Sequence, residues 1–334
     1  MEREKQLFTM EDMKQTYKKK DAWWTVILVD PIASRIALLV ANFTNITPNQ
    51  LSITSFIIGL AAAFSFYIGS VTALIAGALL YHLSFIIDCM DGKIARLKKN
   101  GSMFGMVLDI SLDHIRVVLC ALALTFGQFN HTGDIIYLYL AALLIVVYFI
   151  RHINALHIYK IRREMKKKLN KMKRKINKLI KEQIEQELDK VGIESTSTQP
   201  FTMDHLPNSG EEALKNEKLK AHVLPKKTKF DLQSRFKSKF QWYLSIRDLL
   251  LKYRIRAHLF SGIEFQMFIF IVAPLLGMIT EIIILSCILL LLFEIPIVYK
   301  LWLSTKDYER QMKTLQEKLN ELQNELQEME LSQV

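Results

Sequence analysis

The sequence predicts an all-α polytopic membrane protein with six transmembrane helices, an N-terminal interfacial amphipathic helix, a polar helical insert and a C-terminal coiled coil. Three observations carry this expectation. Hydrophobic residues make up 51% of the 334 residues while the formal net charge is +11, an unusual pairing for a soluble protein. The apolar residues are gathered into runs close to the roughly 20 residues needed to cross hydrocarbon, and the cations lie between the runs. The last stretch repeats apolar residues at alternating spacings of 4 and 3.

Residues 1–46 form the N-terminal part. Residues 1–22 are polar and basic and end in Lys18-Lys19-Lys20, directly before Trp23-Trp24, and aromatics beside lysines mark a membrane interface. No apolar core with a small-residue cleavage site is found there, so the first span is expected to act as the targeting signal. Asp30 to Phe43 has an apolar face interrupted by Arg35, which predicts an amphipathic helix on the membrane surface. Residues 47–156 hold spans one to four, at about 51–69, 71–97, 103–126 and 134–150. Thr47-Pro48-Asn49 supplies the start signal of the first, a capping residue followed by proline at an early helical position. Residues 257–303 hold spans five and six, at about 258–276 and 280–303.

The connections at 69–71, 127–134 and 277–281 contain no Lys or Arg, whereas the N-terminus, the turn at 98–101, the insert at 157–256 and the tail at 304–334 are rich in them. Both termini and the 98–101 turn are therefore expected on the cytoplasmic side. Within the insert, Lys160 to Lys181 holds twelve basic residues and one acidic one, with Met165, Leu169, Met172, Ile176 and Leu179 at 4-3 spacing, which predicts a basic helix. Residues 193–210 lack periodicity and are expected to be a flexible linker. Lys226 to Arg256 mixes cations with Phe230, Phe236, Phe240, Trp242 and Tyr243, a composition that favours an anionic membrane surface over nucleic acid as partner. In the tail, Tyr308, Met312, Leu315, Leu319, Leu322, Leu326 and Met329 predict a short coiled coil and hence a homodimer; the competing reading is an amphipathic helix packed on the insert. Cys89, Cys120 and Cys287 all lie in apolar runs without paired spacing, so neither a disulfide framework nor a zinc site is indicated and they are expected to pack as small hydrophobes.

One stretch carries chemistry. Asp88, Asp91, Gly92, Ala95 and Arg96 are followed, after eight residues, by Gly105, Asp109 and Asp113, with apolar sequence on both sides. Helical spacing puts each set on one face of its helix, and a short basic turn would bring the two acidic faces together. An ionised Asp at the bilayer centre costs roughly 3 kcal/mol or more, and four clustered carboxylates also repel one another. Divalent metal is the natural compensation. Oxygen ligands without His or Cys suit Mg2+ or Mn2+, ions held by a few carboxylates together with substrate phosphate oxygens, so the pattern points to phosphoryl-type transfer.

These residues resemble the signature of the CDP-alcohol phosphotransferase (CDP-alcohol phosphatidyltransferase) family, D-x-x-D-G-x-x-A-R-x(8)-G-x-x-x-D-x-x-x-D, with every fixed position present. The resemblance extends over about 30–150 and 256–303; the insert and the tail depart from it. It implies an enzyme that transfers a phosphoalcohol, here phosphatidyl from CDP-diacylglycerol, to an acceptor alcohol and releases CMP. Transfer from a soluble CDP-alcohol of the choline or ethanolamine type to diacylglycerol is the alternative, and a non-enzymatic membrane scaffold is a third reading. By position, Asp88, Asp91 and Asp109 would hold one or two metal ions, with Asp113 at the edge of that site and acting as general base. Gly92 and Ala95 would let the nucleotide lie on the helix, Gly105 would permit close approach, and Asn49 and Thr54 would stand near the nucleotide or simply cap a helix. Arg96 suits a phosphate oxygen or a place as an interfacial anchor. Among His114, Arg116, Arg151, His152 and Glu264, one or two of the arginines would suit an acceptor's phosphate, and for each of the five the alternative is a hydrogen bond between helices or snorkelling to the interface.

Overall fold

A computed structural model describes residues 7–190 and 231–331. Among them the structure is helical, with no strand; one isolated backbone bridge joins Asp21 to the 254–256 segment. The flexible linker expected at 193–210 and the Lys226–Phe230 start of the second basic stretch lie outside the described residues.

Helix α1 (Met10–Gln15) and α2 (Asp30–Phe43), the latter entered through a wide turn at Thr25–Val29, make up the N-terminal part. Then come α3 (Pro48–Ile68), α4 (Val71–Leu97), α5 (Met103–Thr132) and the long α6 (Ile136–Lys190). Two short helices, α7 (Ser234–Lys239) and α8 (Gln241–Lys252), precede α9 (Gly262–Leu276) and α10 (Ile279–Leu331). Local chemistry sets these limits. Thr47 and Gln50 form a reciprocal cap, Gln50 N donating to Thr47 Oγ1 at 3.4 Å and Thr47 N to Gln50 Oε1 at 2.8 Å, with Pro48 as the first helical residue. Ser102 Oγ accepts from Gly105 N at 2.9 Å and starts α5. Gly69 and Gly133 end α3 and α5 in the left-handed region, with φ of 76° and 74°.

Among the described residues, five helical stretches are long and apolar enough to cross a membrane: Thr25–Phe43, α3, α4, and portions of α6 and α10. The protein is an all-α polytopic membrane protein. Helix α5, which carries Asp109, Asp113 and Arg116, is not one of the five, and α9 is shorter than a typical span. Both sit where the sequence placed a span. Asp30 to Phe43, expected on the membrane surface, is part of Thr25–Phe43, which has the length of a span; its inner face is Asp30, Ala33, Ser34, Ala37 and Ala41, and Ile32, Ile36, Leu39 and Phe43 are exposed.

The chain divides into two compact units: residues 1–155 with 241–297, and residues 156–240 with 298–334. Residues 241–256, which the sequence groups with the insert, cluster in the first unit because their end is bonded to the N-terminal segment. Asp21 N donates to Arg254 O at 2.8 Å and Arg256 N to Asp21 O at 2.9 Å. In that unit α3 packs along both α4 and α5, and α2 packs on α4. Phe66, Tyr81 and Phe270 join α3, α4 and α9 in the core, with ring centroids 6.1 Å (Phe66 to Phe270) and 4.6 Å (Tyr81 to Phe270) apart. The approach of α3 to α5 depends on Gly127, where an added Cβ would stand 2.2 Å from the Phe66 carbonyl oxygen.

In the second unit, Met165, Leu169, Ile176 and Ile180 of α6 pack with Leu315, Leu319 and Leu322 of α10 and with Leu232. Gln183 Nε2 donates to Glu325 Oε2 at 2.7 Å beside them. The tail's apolar stripe is thus occupied within one chain. The heptads that led to a coiled coil between two copies meet instead the matching stripe of the basic helix, so they no longer supply an argument for a homodimer.

Candidate active site

Helix α4 presents Asp88, Asp91, Gly92, Ala95 and Arg96, and α5 presents Gly105, Asp109 and Asp113, joined by the turn at 98–101 in which Lys99 takes a φ of 52°. Asp88, Asp91 and Asp109 each turn one carboxylate oxygen to a common point, these atoms lying within 4.8 Å of one another. Asp91 is buried, and Ser52 of α3 donates its hydroxyl to Asp91 Oδ2. Three hard oxygen donors with no nitrogen or sulfur between them match the requirements of Mg2+ or Mn2+, and among the described residues no lysine or arginine forms an ion pair with Asp91 or Asp109.

Asp113 stands outside that group of three. Its carboxylate is paired with Arg116, one turn further along α5, and the same guanidinium reaches Asp88 Oδ1 at 3.3 Å. Arg116 is 3% exposed. Its Nη1 also donates to Ser55 Oγ and, at 3.1 Å, to Ser84 Oγ. The two serines lock α3 to α4, Ser55 Oγ donating to Ser84 O at 2.9 Å and Ser84 Oγ to Ser55 O at 2.7 Å. A buried cation thus balances part of the acidic cluster and fixes the orientation of two of its carboxylates.

The remaining sequence candidates divide between the site and other tasks. Asn49, at the start of α3, faces Gly105, at the start of α5: a Cβ on Gly105 would fall 2.4 Å from Asn49 Oδ1. Ala95 faces the turn, its Cβ 3.6 Å from where one on Gly101 would be. Arg96 Nε donates to Thr16 O at 2.7 Å while its Nη1 lies 3.3 Å from a Cβ placed on Gly92, so the guanidinium plane lies over the glycine. His114 and His152 meet through Nε2 atoms 2.9 Å apart. Nδ1 of His114 lies against Ile110 O and can only donate to it, so in the neutral ring Nε2 accepts from His152. Arg151 pairs with Glu294 at 2.6 Å, and Asn154 Nδ2 donates to the other oxygen of Glu294 at 2.7 Å. Glu264, fully buried, caps its own helix through Ser261 and lies 3.4 Å from Arg256. Arg116 and Arg151 are therefore both committed to carboxylates of the chain.

Sequence reasoning missed Ser52, Ser55, Ser84 and Gly59. A Cβ on Gly59 would lie 2.4 Å from Arg116 Cδ, so the missing side chain makes room for the arginine stem. A signal was present: Ser52, Ser55, Gly59 and Ala62 are small residues at 3-4-3 spacing along one face of an otherwise bulky helix, the pattern of a close helix contact.

The sequence model of CDP-alcohol phosphatidyltransferase matches residues 45–180. The archaetidylinositol phosphate synthase of Methanothermobacter thermautotrophicus is 34% identical over 102 residues, 30% of this chain and 47% of that protein. That of Pyrococcus horikoshii is 40% identical over 70 residues, 21% of this chain and 36% of its own length. The phosphatidylinositol phosphate synthase of Corynebacterium glutamicum is 33% identical over 89 residues, 27% of this chain and 37% of that protein. The chain spans less than half the length of each of these relatives. With the complete motif on two facing helices and these likenesses together, residues 45–180 are similar to the CDP-alcohol phosphatidyltransferase family.

Proposed function

We propose that the protein is a divalent-metal-dependent CDP-alcohol phosphotransferase that moves phosphatidyl from CDP-diacylglycerol to an acceptor alcohol and releases CMP. The observation that carries this reading is the convergence of Asp88, Asp91 and Asp109 from two helices on one point. These residues would hold Mg2+ or Mn2+, which when bound offsets negative charge on the donor's diphosphate and on the departing CMP. Gly92 and Ala95 leave the α4 backbone open to the nucleotide, Gly105 and Asn49 form the opposite edge, and Arg96, exposed beside Gly92, suits a phosphate oxygen.

The acceptor oxygen forms a bond to the phosphorus bearing the lipid alcohol, and the bond from that phosphorus to the oxygen retained by CMP breaks. The acceptor's proton passes to Asp113, one helical turn beyond Asp109. Arg116 supports this role by holding the carboxylate in place. The names of the relatives point to an inositol-phosphate acceptor. The distribution of Lys and Arg supports an active site on the cytoplasmic side, where cytidine nucleotides are available.

The test is CMP release by the purified chain in lipid with Mg2+ or Mn2+, offering CDP-diacylglycerol with inositol phosphate and other soluble alcohols. Release with one acceptor, absent in Asp109→Asn, is the expected result. No release with any of them, but release from CDP-choline or CDP-ethanolamine with diacylglycerol, replaces the donor assignment by the alternative one. Silence with both donor classes overturns the enzyme reading in favour of a scaffold.

A further inference from the structure

The last turn of α4 is met by a segment of the chain that precedes the matched residues 45–180. Arg96 Nε donates to the carbonyl oxygen of Thr16 at 2.7 Å, and Thr16 is buried. The next two residues are fixed as well. Tyr17 Oη donates to Ser34 Oγ at 2.7 Å while the Arg254 guanidinium stacks on its ring, and Nε of the same guanidinium donates to Lys18 O at 3.3 Å. The chain at Thr16–Lys18 is therefore held at three successive residues beside Arg96.

What this segment brings to the site is a cation. The Lys18 side chain is 62% exposed, and its ion pair with Asp21 is 3.9 Å long, at the outer limit of such contacts. The charge of its ammonium group nevertheless acts on Asp109 and on Cys89, the residue that follows Asp88. Lys18 thus has an anchored main chain, a loosely engaged side chain and a charge felt by the acidic group. Three other cations around the motif are committed: Lys93 lies buried 2.7 Å from Asp30, Lys98 Nζ donates to Thr44 O at 3.3 Å, and Arg116 is paired with Asp88 and Asp113. A diphosphate approaching Asp88, Asp91 and Asp109 brings more negative charge than one divalent ion offsets, so a further cation at the rim suits it.

We propose that Lys18 is a binding residue for the diphosphate of the CDP-alcohol donor, acting beside an Arg96 whose guanidinium the Thr16 carbonyl positions. The inference rests on the donor class proposed above and adds to that site a residue from outside its helices. Thr16 takes the Nε hydrogen of Arg96, which leaves both Nη groups over Gly92 for a phosphate oxygen. Lys18, two residues on, reaches the same diphosphate from the side of the N-terminal segment.

The measurement is calorimetric titration of CDP into the full chain in detergent micelles with Mn2+. Wild type is expected to bind CDP, and Lys18→Gln to bind it roughly fivefold to tenfold more weakly, the size of one exposed charge-assisted contact, while Lys18→Arg stays within about twofold of wild type. Lys20→Gln, which removes a charge of the same sign two residues away, is expected to match wild type. The side chains of Lys18 and Lys20 are exposed, and a thermal midpoint equal to that of wild type establishes that each variant is folded. Equal CDP affinities of wild type and Lys18→Gln overturn the proposal and leave the donor class standing. An equal loss in Lys18→Gln and Lys20→Gln overturns it too, because the general field of the basic segment would then account for the effect. Absence of CDP binding to wild type overturns the donor class itself and the Lys18 assignment with it.

Discussion

Arg116 Nη1 lies 3.3 Å from Asp88 Oδ1, so one buried guanidinium on α5 reaches across to the first carboxylate of the motif on α4 while its other nitrogen holds Asp113 on its own helix. The cluster is thus two linked parts, an Asp88–Asp91–Asp109 group open to a cation and an Arg116 pair that closes its inner side. Removing the arginine leaves two carboxylates without their cation in a low-dielectric setting. Breaking a buried pair from one side is typically worth about 3–5 kcal/mol. Arg116→Met is expected to lower the thermal midpoint strongly without divalent metal and less with millimolar Mn2+. Equal midpoints for wild type and variant in both conditions would count against the arrangement.

Asp91 and Asp113 should separate binding from turnover. Asp91→Asn removes one of the three converging oxygens and should abolish both Mn2+ binding, followed by electron paramagnetic resonance, and CMP release. Asp113→Asn should abolish CMP release while Mn2+ affinity stays within a few-fold of wild type. Loss of Mn2+ binding in Asp113→Asn would move Asp113 into the ligand set and leave the base unassigned.

The glycines under the site make steric predictions of two kinds. At Gly127 an added methyl meets the backbone carbonyl of Phe66 at 2.2 Å, an atom that cannot move without shifting α3, so Gly127→Ala should destabilise the bundle by about 1–3 kcal/mol or more. At Gly105 the obstacle is the side-chain end of Asn49, which can rotate away. Gly105→Ala is expected to leave the thermal midpoint near wild type yet weaken binding of a cytidine nucleotide, read by calorimetry. A midpoint drop equal to that of Gly127→Ala would show that Asn49 is held where it is.

The N-terminal segment is fastened to the motif helix by charge. Lys93, between Gly92 and Ala95, is buried and lies 2.7 Å from Asp30 Oδ1, while Arg254 approaches Asp30 Oδ2 at 3.1 Å and stacks 4.2 Å from the Tyr17 ring centroid. Asp30→Asn leaves Lys93 buried without its carboxylate, a loss of roughly 3 kcal/mol or more. Faster proteolysis within residues 7–30 of the variant in lipid is the expected signature; unchanged cleavage rates would mean that other contacts hold the segment.

Deletion of residues 305–334 uncovers Met165, Leu169, Ile176 and Ile180, which Leu315, Leu319 and Leu322 cover in the intact chain. The deleted chain should be cleaved faster within 160–180 and aggregate more, with CMP release per folded molecule retained. A tail that leaves proteolysis of 160–180 unaffected when removed does not pack on α6.

Much of the site was legible because a bilayer makes polar residues informative. Asp88, Asp91, Asp109 and Asp113 stand out against apolar sequence, their spacing follows the helical repeat, and a short turn leaves two helices little choice but to face each other. Arg116 was visible but ambiguous, since a cation near a membrane has several possible partners. Ser52, Ser55 and Gly59 were harder still. Small residues are ordinary in membrane helices, and their meaning came only when the Arg116 stem was seen lying over Gly59.

The sequence by itself determined the long apolar helices and the basic helix after the fourth, where α3, α4 and α5 begin, and which carboxylates can meet, because capping, periodicity and hydrophobicity act over a few residues. Only the tertiary structure decided what pairs with what. It set Asp30 on Lys93, Arg151 on Glu294, Arg116 between Asp88 and Asp113, and the tail's apolar stripe on α6. An ion pair or a packed stripe has many partners of equal chemistry along a chain. Which of them wins depends on distances across helices that no local pattern encodes.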